Sequence, residues 1–193
     1  MATLHTGGIV LKATGIVRRI DELGRVVIPK EIRRTLRIHE GSPLEIFTDH
    51  DGGIILKKYS PVSELASFAS EFTGALHQMF SMNAVICDKD TVVACAGSGR
   101  REYGEQRISD EVERAIAARG VIVQSASEGR VMPVVEKASR VPQSLLLVPI
   151  VAQGDAIGAV ILFSIEGRTT PIGEPEIKTC QTVAAFLGRQ MEA

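Results

Sequence analysis

Three cysteines in 193 residues, Cys87, Cys95 and Cys180, are too few and too scattered for a disulfide framework. They form no Cys-x-x-Cys pair, so they read as reduced thiols and a cytoplasmic location is expected. No apolar run reaches the ~18 residues that a membrane-spanning helix needs. The first eleven residues lack the cationic start and apolar core of a signal peptide. The four histidines, His5, His39, His50 and His77, have no acid or cysteine at ligand spacing, which argues against a metal centre. Gly97-Ser98-Gly99 lacks the lysine and following hydroxyl of a phosphate-binding P-loop. Asp88 and Asp90 flank a turn, where carboxylates cap backbone more readily than they act as an acid–base pair. With no nucleophile beside a base, an enzyme is not expected, and no cofactor or metal is called for.

Net charge is also nearly absent, at −1, but the balance is uneven. Residues 12–60 hold 10 Lys and Arg against 7 Asp and Glu, whereas residues 61–193 hold 12 against 16. A basic head on an acidic body points to nucleic acid as a partner of the head alone.

Within the head, Ile16–Ile20 and Arg25–Ile28 are β-type runs on either side of Asp21-Glu22-Leu23-Gly24, which reads as strand, turn, strand. Pro29 fixes φ and opens about two helical turns to Leu36, with Ile32 and Leu36 on one side and Arg33, Arg34 and Arg37 on the rest. After Gly41, Leu44, Ile46 and Thr48 alternate with Glu45, Phe47 and Asp49 as a half-buried strand does. Asp51-Gly52-Gly53 turns the chain back into a strand at Ile54–Lys58. A unit of under about 50 residues buries too little surface to stand alone without metal, disulfide or partner. Cysteine and metal ligands being missing, interleaving with a second copy is the option left, and exchanged hairpins make a symmetric dimer.

Charge sharpens that reading. Residues 12–37 carry eight cations against three acids, and six of the seven cations between 18 and 37 are arginine. Arginine's planar fork bonds phosphate or guanine edges bidentately, where lysine would serve a merely solvated face. Two-fold symmetry in a dimer matches that of a duplex.

The run from Lys12 to Leu36, with Leu44-Glu-Ile-Phe47 and Ile55-Leu-Lys-Lys-Tyr59, resembles the N-terminal domain of AbrB-type transition-state regulators. The resemblance implies an all-β swapped-hairpin barrel with a short helix, dimeric and DNA-binding. Carried over residue by residue, it implies that Arg18, Arg19, Arg25, Arg33 and Arg34 face DNA, with Lys12 and Thr14 fitting the pattern less firmly. Residues 1–11 precede the resemblance and are expected to be a disordered extension.

The body follows with almost no linker. Val62, Leu65, Phe68 or Ala69, Phe72, Leu76, Met79 and Phe80 recur at helical spacing, which predicts one helix over 62–80, capped by Ser60 or Ser63. Strands are expected over 83–88, 91–96, 121–124, 143–151 and 157–165, with a further short one over 131–135. Helices are expected over 109–119, stopped by Gly120, and over 174–192. That order is α+β with an antiparallel sheet. The stretch Val148–Phe163 resembles the central hairpin of GAF domains, and the whole chain resembles the sporulation regulators of the AbrB type that carry such a domain over residues 61–193. The resemblance implies gene control during sporulation, oligomerisation through the body as a dimer of dimers, and a small ligand under the loops 97–107 and 126–141. Arg100, Arg101 and Tyr103, with Arg130 and Arg140, could meet an anionic ligand there; solvated loop residues are the simpler account. Apolar stripes of the first and last helices suit packing on the sheet or a bundle between subunits. Two rival functions are an antitoxin-like DNA-binding protein and a redox enzyme of GAF type using Cys87 or Cys95, for which buried inert thiols are the simpler account.

Overall fold

The computed structural model describes residues 14–50, 52–165 and 171–192, and residues 3–6 and 9–12 in backbone. The chain divides into two compact units at Lys58–Tyr59.

In the first unit, strands β1 (Thr3–Thr6) and β2 (Ile9–Lys12) pair antiparallel in register Thr3↔Lys12; the remaining residues of the 1–11 extension lie outside the described residues. Residues 16–20 and 25–28, expected as strands, take no regular secondary structure and pair with no strand among the described residues. A β ladder needs a second row of amides and carbonyls, and none of the described residues supplies one here. The turn between them does form: Gly24 N donates to Asp21 O at 3.0 Å and Asp21 N to Arg25 O at 3.1 Å. Helix α1 spans Lys30–Thr35, with Pro29 as its N-cap and Leu36 as its C-cap. Strands β3 (Leu44–Thr48) and β4 (Ile54–Lys58) pair in register Phe47↔Ile55. Their turn is tied by Gly53 N donating to Asp49 Oδ1 at 2.6 Å, and Gly52 takes φ 80°.

The expected half-buried alternation of β3 is not seen. Ile46 and its neighbour Phe47 are both exposed, as are Ile54 and Leu56 on β4. Among residues 14–58 that are described, Pro29 alone is buried. Val17 is 86% exposed, Leu23 73% and Val27 70%. Leu36, expected to share a buried side with Ile32, is exposed as well. Among its described residues, a lone head therefore has the apolar side chains of a core and no core.

The second unit is the reverse. Helix α2 (Pro61–Glu64) is capped by Ser60, whose hydroxyl accepts from Ser63 N, and a break at Leu65 separates it from α3 (Ala66–Phe80). The single helix expected over 62–80 is thus two. Strands β5 (Asn83–Asp88), β6 (Val92–Ala96), β7 (Ile122–Ser125), β8 (Ser144–Ala152) and β9 (Asp155–Ser164) form one antiparallel sheet in the order β6-β5-β9-β8-β7. A one-turn helix α4 (Arg100–Tyr103), then α5 (Asp110–Ala118) and α6 (Glu174–Gln190), complete the unit.

Strand alternation builds two cores, because successive side chains point to opposite faces. Val85, Cys87, Leu145, Leu147, Ile161 and Phe163 face α4, α5 and the buried Val131, Val134 and Val135. Ala84, Ile86, Leu146, Val148, Val160 and Leu162 face α2, α3 and α6. The sheet is buried on both sides, giving a three-layer α/β/α unit. Gly188 lets α6 approach the β8 backbone, since a Cβ there would collide with Val151 O. Sequence left the stripes of α3 and α6 open between sheet packing and an inter-subunit bundle; most of their residues pack on the sheet, Leu76 and Leu187 included. Ala69, Leu76, Cys180, Val183, Ala184 and Leu187 pack on the sheet, while Phe68 and Met79 stay exposed. Two smaller expectations need correcting. Arg119, not Gly120, takes the left-handed conformation that ends α5, with φ 58°. Residues 131–135 form no strand, only an isolated bridge between Ile108 and Val135.

Candidate nucleic-acid interface

The residues expected to face DNA group around one turn and one helix of the head. Arg18 and Arg19 enter the Asp21–Gly24 turn, Arg25 leaves it, and Arg33 and Arg34 lie on α1, which begins five residues after Arg25. All five are exposed. Exposure suits a surface that must reach phosphate oxygens or base edges. Thr14 is exposed too, its Oγ1 accepting from Ile16 N at 3.4 Å. The Lys12 side chain lies outside the described residues.

The turn is organised by Asp21. Its Oδ1 accepts from Arg25 N at 2.8 Å and from Leu23 N at 3.0 Å. Its Oδ2 accepts from Arg25 Nε at 2.8 Å. The hydrogen bonds from Arg25, backbone first and then side chain, hold the carboxyl below its ordinary range. Sequence reasoning took Asp21 for turn chemistry only; its spacing of four from Arg25 was the available signal.

The body's candidate residues separate. Arg100 and Arg101 are exposed on α4. Tyr103, read as a loop residue that could meet an anion, is fully buried. Its ring stands edge-on to Phe163 at 4.9 Å, and its hydroxyl donates to Arg140 O at 3.5 Å. Burial, with Glu102 nearby, pushes its hydroxyl up to about 12. Arg130 lies 3.6 Å from Glu111 and Arg140 3.9 Å from Glu102. Glu102 also accepts from Ser139 N at 2.7 Å and Ser139 Oγ at 2.6 Å, which lowers its carboxyl from the usual value. The two loops expected to cover a ligand are thus fastened to each other.

The thiols face a low-dielectric interior. Burial pushes Cys87 far up, Cys95 up to about 11 and Cys180 up to about 12. Among the described residues no three His, Cys, Asp or Glu are placed to hold a metal ion, and no helix is long and apolar enough to cross a membrane.

Comparison with known proteins fits this division. Residues 64–192 match the family model described as stage V sporulation protein T C-terminal, transcription factor. Residues 17–64 match that of antidote-toxin recognition MazE, bacterial antitoxin. The head is 67% identical over 51 residues to the transition state regulatory protein AbrB of Bacillus subtilis (strain 168), spanning 26% of this chain and 52% of that relative. The body shares its fold with the GAF domain from Acinetobacter phosphoenolpyruvate-protein phosphotransferase, at TM-score 0.54 and 12% identity over 70% of this chain and 84% of that one. It is also similar to the type II free methionine-R-sulfoxide reductase from Thermoplasma acidophilum, at TM-score 0.52 and 13% identity over 68% and 95% of the two chains. At full length, stage V sporulation protein T of B. subtilis (strain 168) is 50% identical over 182 residues, which cover 94% of this chain and 99% of that relative. On a half-identical match along nearly the whole of both sequences, the chain belongs to the stage V sporulation protein T family.

Proposed function

We propose that this protein regulates transcription of sporulation genes by gripping duplex DNA with the arginines of two interleaved heads. One observation carries the reading: among its described residues the head leaves the β-type runs at 16–20 and 25–28 without a strand partner and its apolar side chains bare, in the same stretch as its arginines. A second copy would supply both missing halves, a partner ladder for the runs and a cover for Val17, Ile20, Val26, Val27, Ile46 and Ile54. Each such side chain, once buried, contributes about 1.5–3 kcal/mol. Doubling the head doubles Arg18, Arg19, Arg25, Arg33 and Arg34 about a two-fold axis, the symmetry of a palindromic duplex site. Lys12 and Thr14 flank that set.

The body joins two such dimers into a tetramer and sets the spacing between their DNA-binding surfaces. Its ligand role, through Arg100 and Arg101, rests on their exposure alone; Tyr103 belongs to the core. Catalysis finds no support in the thiols, because a nucleophilic or redox cysteine acts as thiolate and burial opposes that form.

An antitoxin-like role has one observation in its favour, the match of residues 17–64 to an antitoxin family. The 59–193 unit weighs against it, being folded on two cores of its own. Co-purification with a small toxin would favour that rival.

The test is a gel shift on chromosomal fragments recovered by genome-wide mapping of bound sites. Replacing Arg18 and Arg25 together by alanine abolishes the shift while the dimer survives. A double variant that binds as the parent does overturns the assignment.

A further inference from the structure

Arg25 carries a carboxylate on its own guanidinium. A cation meant only to attract phosphate is weakened by that neighbour, because the pair is close to neutral and Asp21 itself repels phosphate. The arrangement makes sense where direction counts for more than charge. Asp21 Oδ2 holds Nε at 2.8 Å, which leaves the two Nη groups as the outward edge of the fork. Those two groups, in one plane, match the O6 and N7 acceptors of guanine in the major groove. The same carboxylate fixes the backbone that carries Arg25, through Oδ1 on Arg25 N and Leu23 N. Arg25 stays 70% exposed, so its aimed edge is open to a ligand.

We propose that Asp21 is a positioning residue for sequence readout, aiming Arg25 at a base edge rather than at phosphate. This rests on the DNA-binding reading given above. It assigns to Asp21 a contribution to specificity that is opposite in sign to its contribution to general attraction.

The division of labour between the two oxygens makes the point testable. Asp21→Asn keeps an oxygen for the two backbone amides and puts an NH2 group in place of the acceptor of Arg25 Nε. A duplex pool with a randomised centre is enriched on the full-length parent protein. The dissociation constants of parent and variants are then measured by fluorescence anisotropy for the enriched duplex and for the unselected pool. Asp21→Asn lowers the ratio of the two affinities about 10-fold, the scale of one bidentate base contact. Its affinity for the unselected pool is unchanged or higher. In an Arg25→Ala background the same substitution changes the ratio no further, because the residue acts through Arg25. Three results overturn the proposal: an unchanged ratio, an equal loss on both duplexes, or a further loss of ratio without Arg25. A parent that enriches no duplex overturns the DNA-binding reading and this inference with it, and is told apart by appearing before any substitution is made.

Discussion

At the scale of single residues, the exposure of the head's arginines was legible and the burial of Tyr103 was not. Six arginines within twenty positions state their chemistry in any conformation. Tyr103 sits between Gly97 and Gly104 in a run that reads as a polar loop, and only the one-turn helix α4 points its ring at Phe163. No periodicity signals a single turn. Tyr103→Ala costs about 3–5 kcal/mol of unfolding free energy, the range for emptying an aromatic site. Arg100→Ala and Arg101→Ala stay within about 0.5 kcal/mol. Chemical denaturation of the three variants measures both. The cysteines were read as inert, and burial agrees with that reading. With its thiol pushed up to about 11, Cys95 at pH 8 is roughly a thousandth thiolate, so native protein reacts slowly with iodoacetamide and unfolded protein fast. Asp21 titrates in the opposite sense. Its folded value is depressed, so its links to Arg25 are intact above the ordinary aspartate range and are lost as pH falls through the lower folded value. A carbon-detected NMR titration of the Asp21 carboxyl reads a midpoint below that of an unfolded aspartate.

At the scale of elements, alternation and capping carried most of the body. Leu145 to Val148 and Ala159 to Phe163 send alternate side chains to the two cores, and those strands were placed to within about two residues, the usual uncertainty at element ends. Ser109 opens the helix expected over 109–119 and caps α5, but its second bond could not be foreseen. The hydroxyl accepts from Val112 N at 3.1 Å and donates to Pro133 O at 2.6 Å, tying α5 to a segment twenty-four residues away. Ser109→Ala loses both, and stability falls by about 1–2 kcal/mol in thermal or denaturant unfolding. The break at Leu65 escaped notice because the apolar spacing runs unbroken from Val62 to Phe80 while the backbone does not. In the head the difficulty is reversed. Residues 16–20 and 25–28 have strand composition, yet a strand exists only when a partner row completes it.

At the scale of the molecule, two units obey opposite accounting. Residues 59–193 bury their apolar side chains within one chain; residues 14–58 leave Val17, Leu23, Val27 and Ile54 in water. The first is therefore expected to fold when expressed alone, and it should sediment as an oligomer at tens of micromolar through the surface that includes Phe68 and Met79. The second is expected to hold together by sharing its apolar face with a copy of itself. Velocity sedimentation of the full chain with a fluorescent duplex from a bound chromosomal site tests that account most directly. The duplex should travel with an even number of chains at 50 mM salt and be released by 200 mM, where six or more phosphate contacts cost about 10³-fold in affinity. A single chain riding on the duplex, or a duplex sedimenting free at 50 mM, would contradict it.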